Sequence, residues 1–202
     1  MEVPDLPILN ETIRNLFFHV AIWFAMFILL IVSVVYSIKY LKNSNFEDDI
    51  RASEFATMGI VFGLLGVTTG SVWAKFTWGA FWHWDPRETS IFILLLIYGS
   101  LFALRSAIEN EDKRAKLSAV YSIIAFLTVP FFIFIMPRIM TGLHPGSAND
   151  DNLGPVVDFK MNGTMQVVFY MSLTAFTMFY IWMWRIGYKS IIIKDRITKK
   201  II

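Results

Sequence analysis

Five apolar stretches constrain this chain more than anything else in it. They cover about 16–38, 55–74, 88–104, 117–137 and 164–184. A helix that crosses a bilayer needs about 20 apolar residues at roughly 1.5 Å each. Four stretches reach that length, and the third does so by borrowing a turn from the residues before it. With 56% apolar and only 17% charged residues, and a mean hydropathy of +0.56, most of the chain has no water-facing role. The expected fold is all-α integral membrane: a bundle of five transmembrane helices forming a single polytopic domain over 1–202. The first stretch follows MEVPDLPILNETIRN, with no basic leader and no small-residue cleavage site after it. It therefore reads as a span and not a signal peptide.

Thirteen of the eighteen lysines and arginines follow the first, third and fifth spans. The positive-inside rule then predicts a cytoplasmic C-terminus. The outer face would carry the N-terminal stretch, a tryptophan-rich segment over 73–89 and a loop over 138–163. No span has a charge in its middle, which argues against a proton relay or small-solute transporter. Zero cysteines exclude a disulfide framework, a thiolate zinc site, an iron–sulfur cluster and covalent haem attachment through CxxCH. A net charge of +2 is too small to suggest nucleic acid. Inside the bilayer, Gly59, Gly63, Gly66 and Gly70 permit either close approach of another helix or ordinary glycine tolerance. Pro130 predicts a kink in the fourth span.

The chemistry gathers on the outer side. Trp73, Trp78, Trp82 and Trp84 fall within WAKFTWGAFWHWD, denser than an interfacial aromatic belt requires. The spacing of Trp78 and Trp82 predicts one helical face, with Phe81 alongside. Such an apolar shelf at the water boundary suits a large flat ligand with a polar rim. Asp85-Pro86-Arg87-Glu88 is a helix-start signal, so Asp85 reads as an N-cap before it reads as a ligand. Arg87 opposes the helix dipole there, which a nearby anion would explain.

All three histidines, His19, His83 and His144, lie on the predicted outer face. His19 and His144 are the candidate metal ligands, since two neutral imidazoles can saturate haem iron. The alternative is a structural role for each ring. Zinc is the rival metal, but nothing resembles its spacing motifs. His83 reads as a partner-facing or simply exposed residue. Lys75, Arg87 and Arg138 are candidates for an anionic rim, or for lipid phosphates.

Residues 78–89, WGAFWHWDPRET, resemble the "WWD" signature of the CcmC/CcmF/CcsA superfamily of cytochrome c maturation. The short chain is most similar to the CcmC type of haem exporter. His19-Val20-Ala21-Ile22-Trp23 and Leu143-His144-Pro145-Gly146 resemble that family's two outer histidine motifs, in the same order. The resemblance implies a haem-binding delivery protein, not an enzyme, in the bacterial cytoplasmic membrane. It implies His19 and His144 as axial ligands of haem b, and Trp78, Trp82, Trp84 and Asp85 holding the porphyrin; from their place on the outer side, Trp73, Arg87 and Arg138 are expected near it. The implied partners are a periplasmic haem chaperone of the CcmE type and membrane components of the CcmA, CcmB and CcmD types. The family normally has six spans, and the resemblance leaves two alternatives for the one that normally precedes the first histidine: Met1 is a late start, or the chain has five. The Pro-Arg-Glu-Thr ending leans toward the CcsA variant. The alternatives are a cytochrome c synthase component and, behind it, a small-solute transporter.

Overall fold

The computed structural model describes residues 10–144, 146–149 and 162–201. Within the predicted outer loop, Pro145 and 150–161, including Lys160, therefore lie outside the described residues. A 3-10 turn (Asn10–Asn15) leads into α1 (Leu16–Asn43), followed by α2 (Phe46–Trp78), α3 (Pro86–Ala107) and α4 (Glu111–Pro130). A π-helical turn (Phe131–Ile135), the short α5 (Met136–Ile139) and α6 (Gly163–Ile201) complete the chain. No strand occurs among the described residues. Among the described residues, five helical segments are long and apolar enough to cross a membrane.

Polar capping sets the helix boundaries. Asn45 accepts from the Glu47 amide to open α2, and Asn110 accepts from the Lys113 amide to open α4. The α2 helix starts nine residues before the predicted span because its charged first turns are satisfied. Arg51 pairs with Glu47 at 2.9 Å, and the buried Asp49 takes both Arg105 nitrogens at 2.7 and 2.9 Å. A bidentate pair of this kind carries two charges into the protein without leaving either exposed to hydrocarbon.

The α1 helix is the hub, packing on α2, α4 and α6. The glycines of α2 are the reason it can come so close. A Cβ on Gly59 would meet the Leu30 side chain at 2.7 Å, and one on Gly66 would meet the Trp23 indole at 2.6 Å. Close helix approach, not general glycine tolerance, is thus what this stripe serves. Met26, Leu30, Leu94, Tyr98 and Val129 form the principal buried cluster across α1, α3 and α4. After Pro130 the helix widens into a π turn: the Met136 amide bonds to Phe131 O, five residues back. A backbone that has lost one donor can restore its ladder by such a register slip.

Candidate functional site

The start of α1, the end of α2, the start of α3, the π turn and the start of α6 surround a cavity of about 510 Å³. That is within the roughly 300–1,000 Å³ range of ligand pockets. His19 and His144 both line it, as do Trp23, Trp73, Trp78 and Trp82. Residues 125 positions apart in sequence thus share one chamber.

His144 is held by Asp85. The α2 helix ends at Trp78 because Gly79 takes a left-handed conformation (φ +90°), and its amide bonds back to Lys75 O. The chain then runs irregularly to Asp85, which caps α3: its side chain accepts from the Arg87 amide, and Glu88 reaches back to complete a capping box. The cap predicted from the sequence is present, and the same carboxylate does more. Its Oδ1 lies 2.7 Å from His144 Nδ1, and its Oδ2 accepts from the Leu143 amide at 2.6 Å. A Cβ on Gly142 would lie 2.6 Å from that Oδ2, so glycine is what allows the loop to close on Asp85. Burial raises the Asp85 carboxyl's pKa, but the hydrogen bond and charge of His144 and the amides of Arg87 and Leu143 outweigh it. The net result is a carboxyl lowered to about 2. An ionised Asp85 accepts from His144 Nδ1–H, which leaves the imidazole lone pair on Nε2. Trp78 stands edge-on to the same ring, with centroids 4.7 Å apart.

His19 sits on α1 against α2. Gly70 is its seat, since a Cβ there would lie 2.6 Å from the ring. Its Nδ1 lies 3.0 Å from Thr69 Oγ1, and its Nε2 accepts from Trp23 Nε1 at 3.0 Å. Trp73 and Trp23 both stand edge-on to it at 5.8 Å.

The tryptophans do not form the single helical face that their spacing predicts. Gly79 ends the helix between Trp78 and Trp82, so the i,i+4 relation does not apply. Trp82 instead crosses Trp84 at 5.7 Å and Phe92 at 6.4 Å. Trp84, 67% exposed and at φ +56°, is not among the cavity-lining residues. Phe81 is exposed beneath Lys75. Of the three basic candidates, Arg87 and Arg138 line the cavity, whereas Lys75 bonds to Gly79 O at 2.8 Å. His83 folds inward, with its amide on Glu88 and its Nε2 3.3 Å from Trp78 O. Sequence reasoning missed Trp23 and Thr69. Trp23 carried a signal, being one helical turn beyond His19; Thr69 carried none, because its relation to His19 depends on how α1 and α2 pack.

Residues 4–202 match the family model described as heme exporter protein C. The chain belongs to the heme exporter protein C family. It is 32% identical to heme exporter protein C of Bradyrhizobium diazoefficiens over 62% of this chain and 48% of that protein. With the Haemophilus influenzae protein of the same name it shares 27% identity over 92% of this chain and 74% of the relative. The cytochrome c biogenesis protein CcsA of Pelargonium hortorum is 32% identical over 58% of this chain and 36% of its own length. The chain spans about half the length of several of the heme exporter relatives it matches. His19 and His144 share the chamber with Trp78, Trp82 and Arg87 of the tryptophan-rich segment, while Trp84 and Asp85 lie outside its lining.

Proposed function

We propose that this chain binds haem b as cargo at the outer face of the bacterial cytoplasmic membrane and presents it for transfer during c-type cytochrome biogenesis. The observation that carries the reading is the convergence of His19 and His144 on one aromatic cavity, flanked by Arg87 and Arg138. The donor set fits the cargo. His144 keeps a lone pair on Nε2 with a carboxylate behind Nδ1, the arrangement typical of metal-bound histidine. Trp82 Nε1 is a buried donor with no hydrogen-bond partner among the described residues, as expected beside a ligand that brings an acceptor.

In this reading the two imidazoles hold the iron from opposite sides, and Trp73, Trp78 and Trp82 cover the porphyrin. Arg87 and Arg138 neutralise the propionates, each by a charge-assisted hydrogen bond of about 1.5–3 kcal/mol. Asp85 acts through His144, and Trp84 acts by supporting Trp82. In this reading the protein holds the haem through iron ligation and side-chain contacts, and works as a carrier, not an enzyme. Its receiver is a periplasmic chaperone of the CcmE type, with CcmA-, CcmB- and CcmD-type components alongside, and the histidine face is periplasmic.

The test is the absorption spectrum of the purified, haem-loaded protein. A low-spin bis-imidazole spectrum is expected, and it should be lost in the His19→Ala/His144→Ala double variant; an unchanged spectrum in that variant would overturn the reading. The CcsA relatives favour a second reading, participation in covalent haem attachment. Thioether formation on an apocytochrome by the reconstituted protein would establish that instead.

A further inference from the structure

The two histidines are held in opposite ways. Asp85 backs the far nitrogen of His144 and leaves Nε2 its lone pair. At His19 the lone pair is already engaged. Thr69 Oγ1 gives its hydrogen to a main-chain carbonyl, Leu65 O at 3.0 Å or Gly66 O at 3.1 Å. Toward His19 the hydroxyl can then only accept, so Nδ1 bears the ring proton and Nε2 the lone pair. An indole N–H is a donor only. Trp23 Nε1, 3.0 Å from Nε2, therefore donates to the one nitrogen atom that could bind iron. Both rings line the cavity, and Gly66 seats the Trp23 indole so closely that a single methyl group there would overlap it.

We infer that Trp23 competes with iron for His19, making His19 the exchangeable axial ligand and His144 the retained one. The inference rests on the haem reading above. One lone pair cannot serve a hydrogen-bond donor and a metal together. Iron therefore binds His19 only as the indole N–H moves off. On release the iron–Nε2 bond breaks, the lone pair stays on nitrogen, and the indole takes it back, with no change in oxidation state. Recapture lowers the cost of letting go at His19, and among the described residues no donor is placed on His144 Nε2 to offset that cost in the same way. Hand-off then begins on the His19 side.

The experiment compares the wild type with Trp23→Phe and with a protein carrying benzothienylalanine, the sulfur isostere of tryptophan, at position 23. Both lack the N–H, and the isostere keeps the bicyclic volume against Gly66. In the haem-free protein, carbethoxylation of His19 by diethyl pyrocarbonate, read by peptide mass spectrometry, is expected to speed up several-fold. In the loaded protein, haem affinity is expected to rise about 2- to 10-fold, the factor of one net hydrogen bond. Transfer to apomyoglobin should slow to match. Unchanged carbethoxylation, or an affinity no higher in the isostere protein, would overturn the inference. His19→Ala separates the two layers: if it leaves affinity and spin state unaltered, the ligand reading fails. If it alters them while the isostere does not tighten binding, only the competition fails.

Discussion

Asp85 Oδ1 and His144 Nδ1 stand 2.7 Å apart, joining the first residue before α3 to a loop 59 positions later. One carboxylate thus starts a helix, closes a loop through the Leu143 amide, and sets which nitrogen of His144 carries the proton. Its two roles separate under substitution. Asparagine caps helices about as well as aspartate, so Asp85→Asn should leave helix content by circular dichroism unchanged. It removes the negative charge behind the imidazole, and haem affinity should fall about 10- to 100-fold. Equilibrium titration of the haem-free variant measures the loss.

The same carboxyl makes stability depend on acid pH. Its folded pKa, about 2, lies below its ordinary value of 3.8. Its stabilising contribution is therefore complete above about pH 4 and is lost as pH falls toward 2. Thermal unfolding in detergent should show the wild type ahead of Asp85→Ala at pH 6, with the gap narrowing between pH 4 and pH 2. A gap that stays constant over that interval would contradict the assignment.

The glycines of α2 differ in what surrounds them. Gly66→Ala and Gly70→Ala each set a methyl group 2.6 Å from a ring, that of Trp23 and of His19 respectively. Overpacking of this kind costs about 1–3 kcal/mol, and both variants should melt earlier. Gly99 on α3 has nothing within 4 Å of an added Cβ, so Gly99→Ala should be neutral or slightly stabilising. Melting curves of the three variants measured side by side provide the check.

The basic residues separate by position. Arg87→Ala and Arg138→Ala should each weaken haem retention by about tenfold or more, the lower end of a charge-assisted hydrogen bond. Lys75→Ala should leave it unchanged, because Lys75 is occupied with Gly79 O and the Phe81 ring. Dissociation rates measured with apomyoglobin as acceptor distinguish the three.

At the other end of the bundle, Arg105→Leu should strand Asp49, which is 6% exposed, without its bidentate partner. Breaking a buried pair from one side costs about 3–5 kcal/mol. The variant should unfold earlier, while whatever fraction stays folded keeps an unaltered haem spectrum, since the pair lies far along α2 from His19.

Much of this protein was legible in its residue order. The five spans follow from hydrocarbon thickness, and the start of α3 follows from Asp85, Pro86 and Glu88, because caps are local chemistry. The two histidines and the WWD segment also stood out, through residue type and motif. What sequence could not supply was how they meet. The spacing of Trp78 and Trp82 makes one face only on a helix that runs on through Gly79, and a left-handed glycine ends it after Trp78. Which arginines line the cavity, the bond from Asp85 to His144, and the seating of Trp23 and His19 on Gly66 and Gly70 all depend on packing between helices far apart in sequence. Spans and caps are encoded within a few residues of themselves, whereas a lone pair left open on His144 and covered on His19 exists only once the helices are together.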